Sequence, residues 1–436
     1  MERKITKKIY VGNVPIGGGS PISIQSMTNT ITKDVISTVN QINQFAREGC
    51  NISRSAVNDL DDALAIKKIK LLTTIPFIAD IQYDYKLAIM AAENGADCLR
   101  INPGNIGGRK KVKEVVECCK YHNIPIRVGV NSGSVNQKFI DKYNGVNKES
   151  IVYSALDQVE FLESLNFDQI KISIKSSNVP ICVESYELLS SLCDYPLHLG
   201  ITEAGPSFRG TIKSSVGLGI ILAKGIGDTI RVSLTGDPVE EVKVGKEILR
   251  SLGLLKDGID LISCPTCSRT KIDLINIVEQ AEKELKHVKK NLKIAIMGCP
   301  VNGPGEAKEA DLGIAGGNGK GLIFKKGQII TKILKTGEGN KDITGGLPRV
   351  QELFEARNPK GKAILSEFAG RVVFSDKKKK GMRLILIEDP ETGELIQEYT
   401  VPVGEHLVVT NEMLIEKGAK ITDGPVSPHD ILKIKG

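Results

Sequence analysis

Cys264-Pro265-Thr266-Cys267 and the later run Met297-Gly298-Cys299-Pro300-Val301-Asn302-Gly303-Pro304-Gly305-Glu306 place three thiols and one carboxylate within 43 residues. Thiolates are soft ligands suited to zinc or to iron–sulfur clusters. A Cys-x-x-Cys pair alone serves a redox dithiol, half a zinc site or two cluster ligands. No His flanks these cysteines, and no Cys follows Cys299. A structural zinc site wants four Cys or His ligands. Three thiolates instead leave one metal position open, or filled by a weak oxygen ligand such as Glu306. A catalytic cluster, a zinc site, a dithiol and inert core cysteines all remain open on spacing alone.

Such ligands need a scaffold, and the preceding chain supplies a regular one. Residues 5–20 read as a short hairpin. Eight strand–helix units then follow. The strands are predicted over Pro21–Gln25, Ile52–Val57, Phe77–Ile81, Cys98–Ile101, Ile126–Val130, Gln169–Ile174, Leu197–Ile201 and Thr229–Leu234. The helices are predicted over Val35–Glu48, Asp61–Leu71, Tyr85–Asn94, Arg109–His122, Glu149–Leu165, Val179–Cys193, Ile212–Lys224 and Val239–Leu252. Short apolar strands with helical crossovers are what parallel sheets require. Eight units in about 230 residues fit a (β/α)8 TIM barrel. A doubly wound sheet is the alternative, and no Gly-rich dinucleotide fingerprint supports it.

A barrel collects its site at the C-terminal ends of its strands. The polar residues assigned to those ends are Arg54, Asp80, Arg100 with Asn102, Arg127 with Asn131, Lys175, Glu203, and Arg231 with Ser233. One Arg at a strand end is most often a surface ion pair. Four Arg and one Lys from different strands describe an anion site, because guanidinium forks match phosphate oxygens. Asp80 and Glu203 are acid/base candidates, or counter-ions for the guanidiniums.

The bulk numbers narrow the class. With 436 residues, the chain has room for two or three domains. No run of eighteen apolar residues marks a membrane span. The charged N-terminus lacks the apolar stretch of a signal peptide, so a cytoplasmic protein is expected. Nine cysteines, an odd number scattered through predicted elements, fit a reducing compartment and not a disulfide framework. The net charge of +7 is mild and decides nothing about partners.

Residues 1 to about 333 resemble the bacterial hydroxymethylbutenyl diphosphate synthase family of the non-mevalonate isoprenoid pathway. The resemblance is carried by YVGNVP (Tyr10–Pro15), QSMTNT (Gln25–Thr30), LRINPGNI (Leu99–Ile106), NFDQIK (Asn166–Lys171), HLGITEAG (His198–Gly205), GIGDTIRVSL (Gly225–Leu234), ISCPTCSR (Ile262–Arg269) and GCPVNGPGEA (Gly298–Ala307). It implies reductive ring opening of 2-C-methyl-D-erythritol 2,4-cyclodiphosphate to (E)-4-hydroxy-3-methylbut-2-enyl diphosphate. It also implies a [4Fe–4S] cluster held by Cys264, Cys267, Cys299 and Glu306. By the same resemblance Arg54, Arg100, Arg127, Lys175, Arg231 and Ser233 grip the diphosphate, with Asn131 near it. Glu203 becomes the acidic residue beside the reacting carbons, and both Glu203 and Glu306 are expected to be catalytic. A ferredoxin or flavodoxin is the implied electron donor, and a homodimer the implied assembly.

The sequence departs from the family in three places. Strand two carries serines, Ile52-Ser53-Arg54-Ser55-Ala56-Val57, which cost stability if buried without partners. Gln82 stands where the family commonly has His. After the strand at Ile329–Ile333 the family's final helix does not follow. Instead, a segment of about 100 residues resembles the RNA polymerase β′ subunit, in Asp342–Arg357 and Ile421–Leu432. Strands are expected there at Arg371–Phe374, Arg383–Glu388, Ile396–Val401 and His406–Val409. Residues 336–436 hold 15 Lys and Arg against 16 Asp and Glu, so no nucleic-acid grip is expected. The expected domains are a TIM-barrel substrate domain (1–255), a small α+β iron–sulfur cluster domain (256–335) and a β-rich C-terminal appendage (336–436). The competing reading is an inactive fusion whose tail at most binds polymerase subunits or DNA.

Overall fold

The computed structural model describes residues 2–102, 105–299, 305, 307–317, 320–334, 362–379, 381–424, 426, 427, 430, 433 and 434. The chain divides into two compact units, Met1–Lys256 and Asp257–Gly436.

The first unit begins with a hairpin of β1 (Ile9–Val11) and β2 (Val14–Ile16), turned at Gly12 with φ +56°. The alternation follows: β3 (Ser23–Met27), α1 (Val35–Arg47), β4 (Ile52–Val57), α2 (Leu60–Leu72), β5 (Phe77–Ile81), α3 (Tyr85–Glu93), β6 (Cys98–Ile101) and α4 (Arg109–His122). It continues through β7 (Ile126–Asn131), α5 (Gln137–Lys142), α6 (Lys148–Ser164), β8 (Ile170–Lys175), α7 (Val179–Leu192), β9 (His198–Leu199), α8 (Ser207–Ala223), β10 (Thr229–Ile230) and α9 (Pro238–Ser251). The strands β3 to β10 are parallel neighbours in the order β8-β7-β6-β5-β4-β3-β10-β9. A parallel bridge between Ile172 and Leu197 joins β8 to β9 and closes the ring. The architecture is a (β/α)8 TIM barrel.

Local chemistry sets the helix starts. Asp34, Asp59, Asp84, Asn147, Asn178 and Asp237 each accept a backbone N–H from the first turn of the helix they precede. The helix expected from Ile212 begins five residues earlier, at Ser207. Gly210 lies inside it because a Cβ there would meet Gly205 O at 2.7 Å. The helix can therefore approach the preceding loop only where a side chain is missing.

The strands bury their apolar residues outward, toward the helices. Leu99, Ile101, Val128, Val130, Ile172 and Ile174 belong to the main core with the helix faces. Strand periodicity sends the intervening polar residues into the barrel. The N-terminal end of the lumen is apolar, where Ile52, Ile78 and Cys98 pack against Ile9, Val11 and Ile16 of the hairpin. The serines of β4 face outward and are satisfied. Ser53 Oγ donates to Pro76 O at 2.9 Å, and Thr28 Oγ1 donates to Ser55 Oγ at 2.8 Å. Their expected stability cost is thereby offset.

In the second unit, β11 (Ile259–Ser263), α10 (Leu274–Leu285), β12 (Leu292–Met297), β13 (Leu312–Gly317), β14 (Lys320–Lys325) and β15 (Gln328–Leu334) form an α+β module. Its sheet runs β11-β12-β13-β14-β15, parallel to β13 and antiparallel thereafter. Leu274, Ile277, Ala281 and Leu285 of α10 cover Ile294 and Ile296. A further antiparallel sheet is built from β16 (Gly370–Lys379), β17 (Met382–Glu388), β18 (Leu395–Pro402) and β19 (Leu414–Ile415), around Val372, Ile385, Ile387 and Val401.

One expected tail strand does not form. His406–Val409 contributes only an isolated bridge between Leu407 and Thr422, and Leu414–Ile415 pairs with β16 instead. The bridge is held by its flanks, where Val408 N–H donates to Ile421 O and Asp423 N–H to His406 O. The expected absence of a final helix after β15 and the segment Asp342–Arg357 lie outside the described residues.

Candidate functional site: a buried cation ring and a cysteine loop cluster

Arg54, Asp80, Arg100 and Arg127 lie within their strands, not at the ends where the sequence places them. Arg54 is the third residue of β4, and Arg127 the second of β7. Alternation turns each inward, and a long guanidinium can reach the mouth from that depth. Lys175 and Asn131 do end their strands, and Asn102 directly follows β6. Arg231 directly follows β10, Ser233 lies two residues further on, and both are half-buried. Glu203 lies in the loop after β9, exposed, with φ +51°. A non-glycine residue in this left-handed region costs roughly 1–3 kcal/mol and persists only where its surroundings hold it. Gln82, exposed just beyond β5, puts an amide where an imidazole was the family expectation.

Four of the inward residues form one continuous row. Asp80 is in register with Arg100, Arg100 with Arg127, and Arg127 with Lys171. Asp80 Oδ1 accepts from Arg100 Nη1 at 3.2 Å, and its other oxygen lies 3.7 Å from Arg54 Nε. Arg127 Nη2 donates to Ser173 Oγ at 2.9 Å, while its Nε and Nη1 have no partner among the described residues. Arg54 Nε and Nη2 donate to Met27 Sδ at 3.2 and 2.8 Å. A thioether is a weak acceptor for a charged donor, so this guanidinium has donors to spare for an anion. Glu241 of α9 lies 3.6 Å from Arg231 Nε and also accepts from Ser26 Oγ and Leu234 N.

The electrostatics follow from crowding cations in a dry lumen. Burial pushes Asp80 up, but Arg54, Arg100 and Arg127 outweigh it and hold the carboxyl below its usual range. Burial, reinforced by Arg127, Arg231 and Arg54, drives Lys175 well below an ordinary lysine. Burial and the same surrounding cations push His198 far down, so its buried imidazole is neutral. Cations outnumber carboxylates here, and the orphaned N–H groups point inward. The ring can hold a polyanion bearing several oxygens.

Lys171, His198, Gln25 and Ser173 belong to the same lumen, and sequence reasoning passed over them. The signal was available in Ile170-Lys171-Ile172-Ser173-Ile174-Lys175. Its period of two alternates isoleucines for the helices with polar groups for the interior.

The cysteines fall on a different scaffold. Cys264 directly follows β11, and Cys299 lies two residues beyond the adjacent parallel β12. Gly298 N–H donates to Cys264 Sγ at 3.1 Å, and Lys271 N–H donates to Gly298 O at 3.0 Å, so the two loops are tied together. Thr270 N–H donates to Cys267 O at 3.0 Å, and Cys267 N–H to Thr270 Oγ1 at 3.2 Å, which closes the Cys267–Thr270 turn that directly follows the Cys-x-x-Cys pair. A backbone hydrogen bond from Arg269, then its side chain, favours the Cys267 thiolate and lowers its pKa. Three thiols on joined loops, one already accepting an N–H and one biased to thiolate, fit the donor chemistry of an iron–sulfur group. Among the described residues no three Cys, His, Asp or Glu groups close around a metal position. Glu306 lies outside the described residues.

Fold and lumen together define a TIM-barrel protein with a cation-rich interior, followed in the chain by a thiol-bearing α+β module. The chain belongs to the GcpE family. A family model described as the GcpE TIM-barrel domain matches residues 6–246, and one described as the GcpE protein C-terminal domain matches 260–342. A protein of Clostridium perfringens is 60% identical over 333 residues, covering 76% of this chain and 95% of its own length. One of Caldanaerobacter subterraneus subsp. tengcongensis is 59% identical over 333 residues, covering 76% and 94%. One of Clostridium tetani is 57% identical over 347 residues, covering 80% and 98%. All three are named 4-hydroxy-3-methylbut-2-en-1-yl diphosphate synthase (flavodoxin). No helix among the described residues is long and apolar enough to cross a membrane.

Proposed function

We propose that this chain is an iron–sulfur oxidoreductase of isoprenoid biosynthesis. It opens the ring of 2-C-methyl-D-erythritol 2,4-cyclodiphosphate reductively and yields (E)-4-hydroxy-3-methylbut-2-enyl diphosphate. The observation that carries this reading is the inward ring of cations with too few carboxylates, in a chain that matches nearly the whole length of synthase relatives. The inactive-fusion alternative is not favoured, because the relatives' length is matched within the first part of this chain.

In this reading Arg54, Arg100, Arg127, Lys175 and Arg231 hold the diphosphate, with Ser233, Asn131 and Asn102 at the rim. Asp80 orients Arg54 and Arg100 by its two contacts. Glu203, exposed in the loop after β9, would hold or move a proton at the reacting carbons. Cys264, Cys267, Cys299 and Glu306 would hold the [4Fe–4S] cluster. When bound, it supplies single electrons and an open iron for the departing oxygen.

The name shared by the relatives supports a flavodoxin as donor, with a ferredoxin as the alternative. A homodimer is part of the same proposal. Phe208, Ile212, Val216 and Ile220 are exposed along one line of α8 and would suit a second copy. We read residues 336–436 as a β-rich appendage related to RNA polymerase β′. The C-terminal family match, which stops at residue 342, supports a separate appendage.

The test is anaerobic reconstitution of the full chain with iron and sulfide, followed by calorimetric titration with the cyclodiphosphate and with unphosphorylated 2-C-methyl-D-erythritol. A brown protein with near-stoichiometric cluster iron that binds only the phosphorylated compound is expected. A colourless zinc protein, or equal binding of both compounds, would overturn the reading.

A further inference from the structure

Lys171 is the end of the charged row and is fully buried, yet its Nζ has no hydrogen-bond partner among the described residues. The groups that face it offer little counter-charge. Cys98 on β6 is a buried thiol that burial keeps protonated, and His198 on β9 is a neutral imidazole whose two nitrogens have no hydrogen-bond partner among the described residues. Arg127 on β7 and Arg54 on β4 are cations that repel it. Asp228, before β10, is already engaged: its carboxylate accepts from Leu197 N at 2.9 Å and pairs with Arg3 Nη2 at 3.3 Å.

We propose that Lys171 is a positioning residue beneath the anion site, uncharged in part when the ring is empty and protonated from solvent when a diphosphate settles against the guanidiniums. This rests on the reading that the lumen holds a diphosphate. The guanidiniums cannot adjust, because arginine stays charged in proteins. A buried amine can. Burial, with Arg127 and Arg54, lowers Lys171 to about 8, so its charge changes near working pH. An anion among the same cations cancels the repulsion and raises that value. Lys171 then adds its charge to the field that the anion meets, without touching the ligand. The alternating pattern supplies both lysines of β8, Lys175 at the mouth and Lys171 two inward positions deeper, past Ser173.

The test uses the full chain and inorganic pyrophosphate as probe. Its binding is followed by calorimetry at pH 8 in two buffers of different ionisation heat, which counts the protons taken up. The probe's own titration is common to every chain compared. Wild type is expected to take up about half a proton more per ligand than Lys171→Met, since a group near its pKa is about half charged. Lys171→Met should bind about tenfold more weakly at pH 7. Lys171→Arg, permanently charged, should restore affinity while losing the extra proton uptake, and it keeps the test open if the Met variant does not fold. Equal proton uptake by wild type and Lys171→Arg would overturn the proposal. If pyrophosphate binds and Arg127→Ala weakens it while Lys171→Met matches wild type, this proposal alone fails. If wild type does not bind pyrophosphate, the diphosphate reading fails with it.

Discussion

Asp80 Oδ1 accepts a hydrogen bond from Arg100 Nη1 at 3.2 Å in the barrel lumen, and its second oxygen faces Arg54 Nε at 3.7 Å. One buried carboxylate thus serves two guanidiniums, with a third, Arg127, in the next register position. Replacing Asp80 by Asn removes that charge and leaves the cations facing one another. The expected cost is about 3 kcal/mol, the range for breaking a buried pair. Urea unfolding should show it, and millimolar pyrophosphate should restore part of the loss by supplying anionic charge. No destabilisation without the anion would mean that Asp80 is not the ring's counter-ion.

Arg127→Ala should raise KM for the cyclodiphosphate by about 30- to 100-fold, equivalent to the 2–3 kcal/mol of a charge-assisted contact. The cluster absorbance should not change, because Arg127 belongs to β7 of the first unit and the cysteines to the second. Unchanged kinetics would remove Arg127 from the anion site.

Much of this arrangement is legible in the sequence. The strand–helix alternation shows in Val128 and Val130, or Ile172 and Ile174, because apolar residues at period two must face helices. The depth of the cations is less legible. Arg54 and Arg127 read as strand-end residues, since how far a strand runs past them depends on pairing with its neighbours, which one strand does not reveal. Lys171 and His198 pass unnoticed for a different reason: alternation marks Lys171 as inward, but a buried basic group without a partner departs from every composition rule. The cysteine loops are legible by residue type, whereas the N–H contact from Gly298 to Cys264 Sγ needs two strands brought side by side.

Cys264→Ser should lose cluster iron and turnover together, because a hydroxyl is a poor substitute for a soft thiolate ligand. Iron analysis and visible absorbance after reconstitution check this. Full iron with full turnover would sink the ligand assignment.

Glu203 combines an exposed carboxylate with a left-handed backbone. Glu203→Asn keeps a residue that tolerates that backbone and removes the acid. Stability should hold within about 0.5 kcal/mol, while kcat falls by about 10² to 10⁴. A kcat within twofold of wild type would exclude a proton role.

His198 sets an acid limit on stability. Its folded pKa lies well below the unfolded value of 6.5, chiefly through burial. Below 6.5 the unfolded chain binds a proton that the native one does not, so stability is present above 6.5 and lost as pH falls. The slope should approach 1.4 kcal/mol per pH unit. Urea midpoints between pH 7.5 and 5.5 should fall more steeply in wild type than in His198→Asn. Parallel curves would show that His198 does not carry the effect.

The most direct measurement is anaerobic turnover of 2-C-methyl-D-erythritol 2,4-cyclodiphosphate by the reconstituted full chain with reduced flavodoxin, the product followed by phosphorus NMR. Formation of 4-hydroxy-3-methylbut-2-enyl diphosphate, abolished by Cys264→Ser and weakened by Arg127→Ala, is the expected result. A full cluster with bound substrate and no product would contradict the assigned activity.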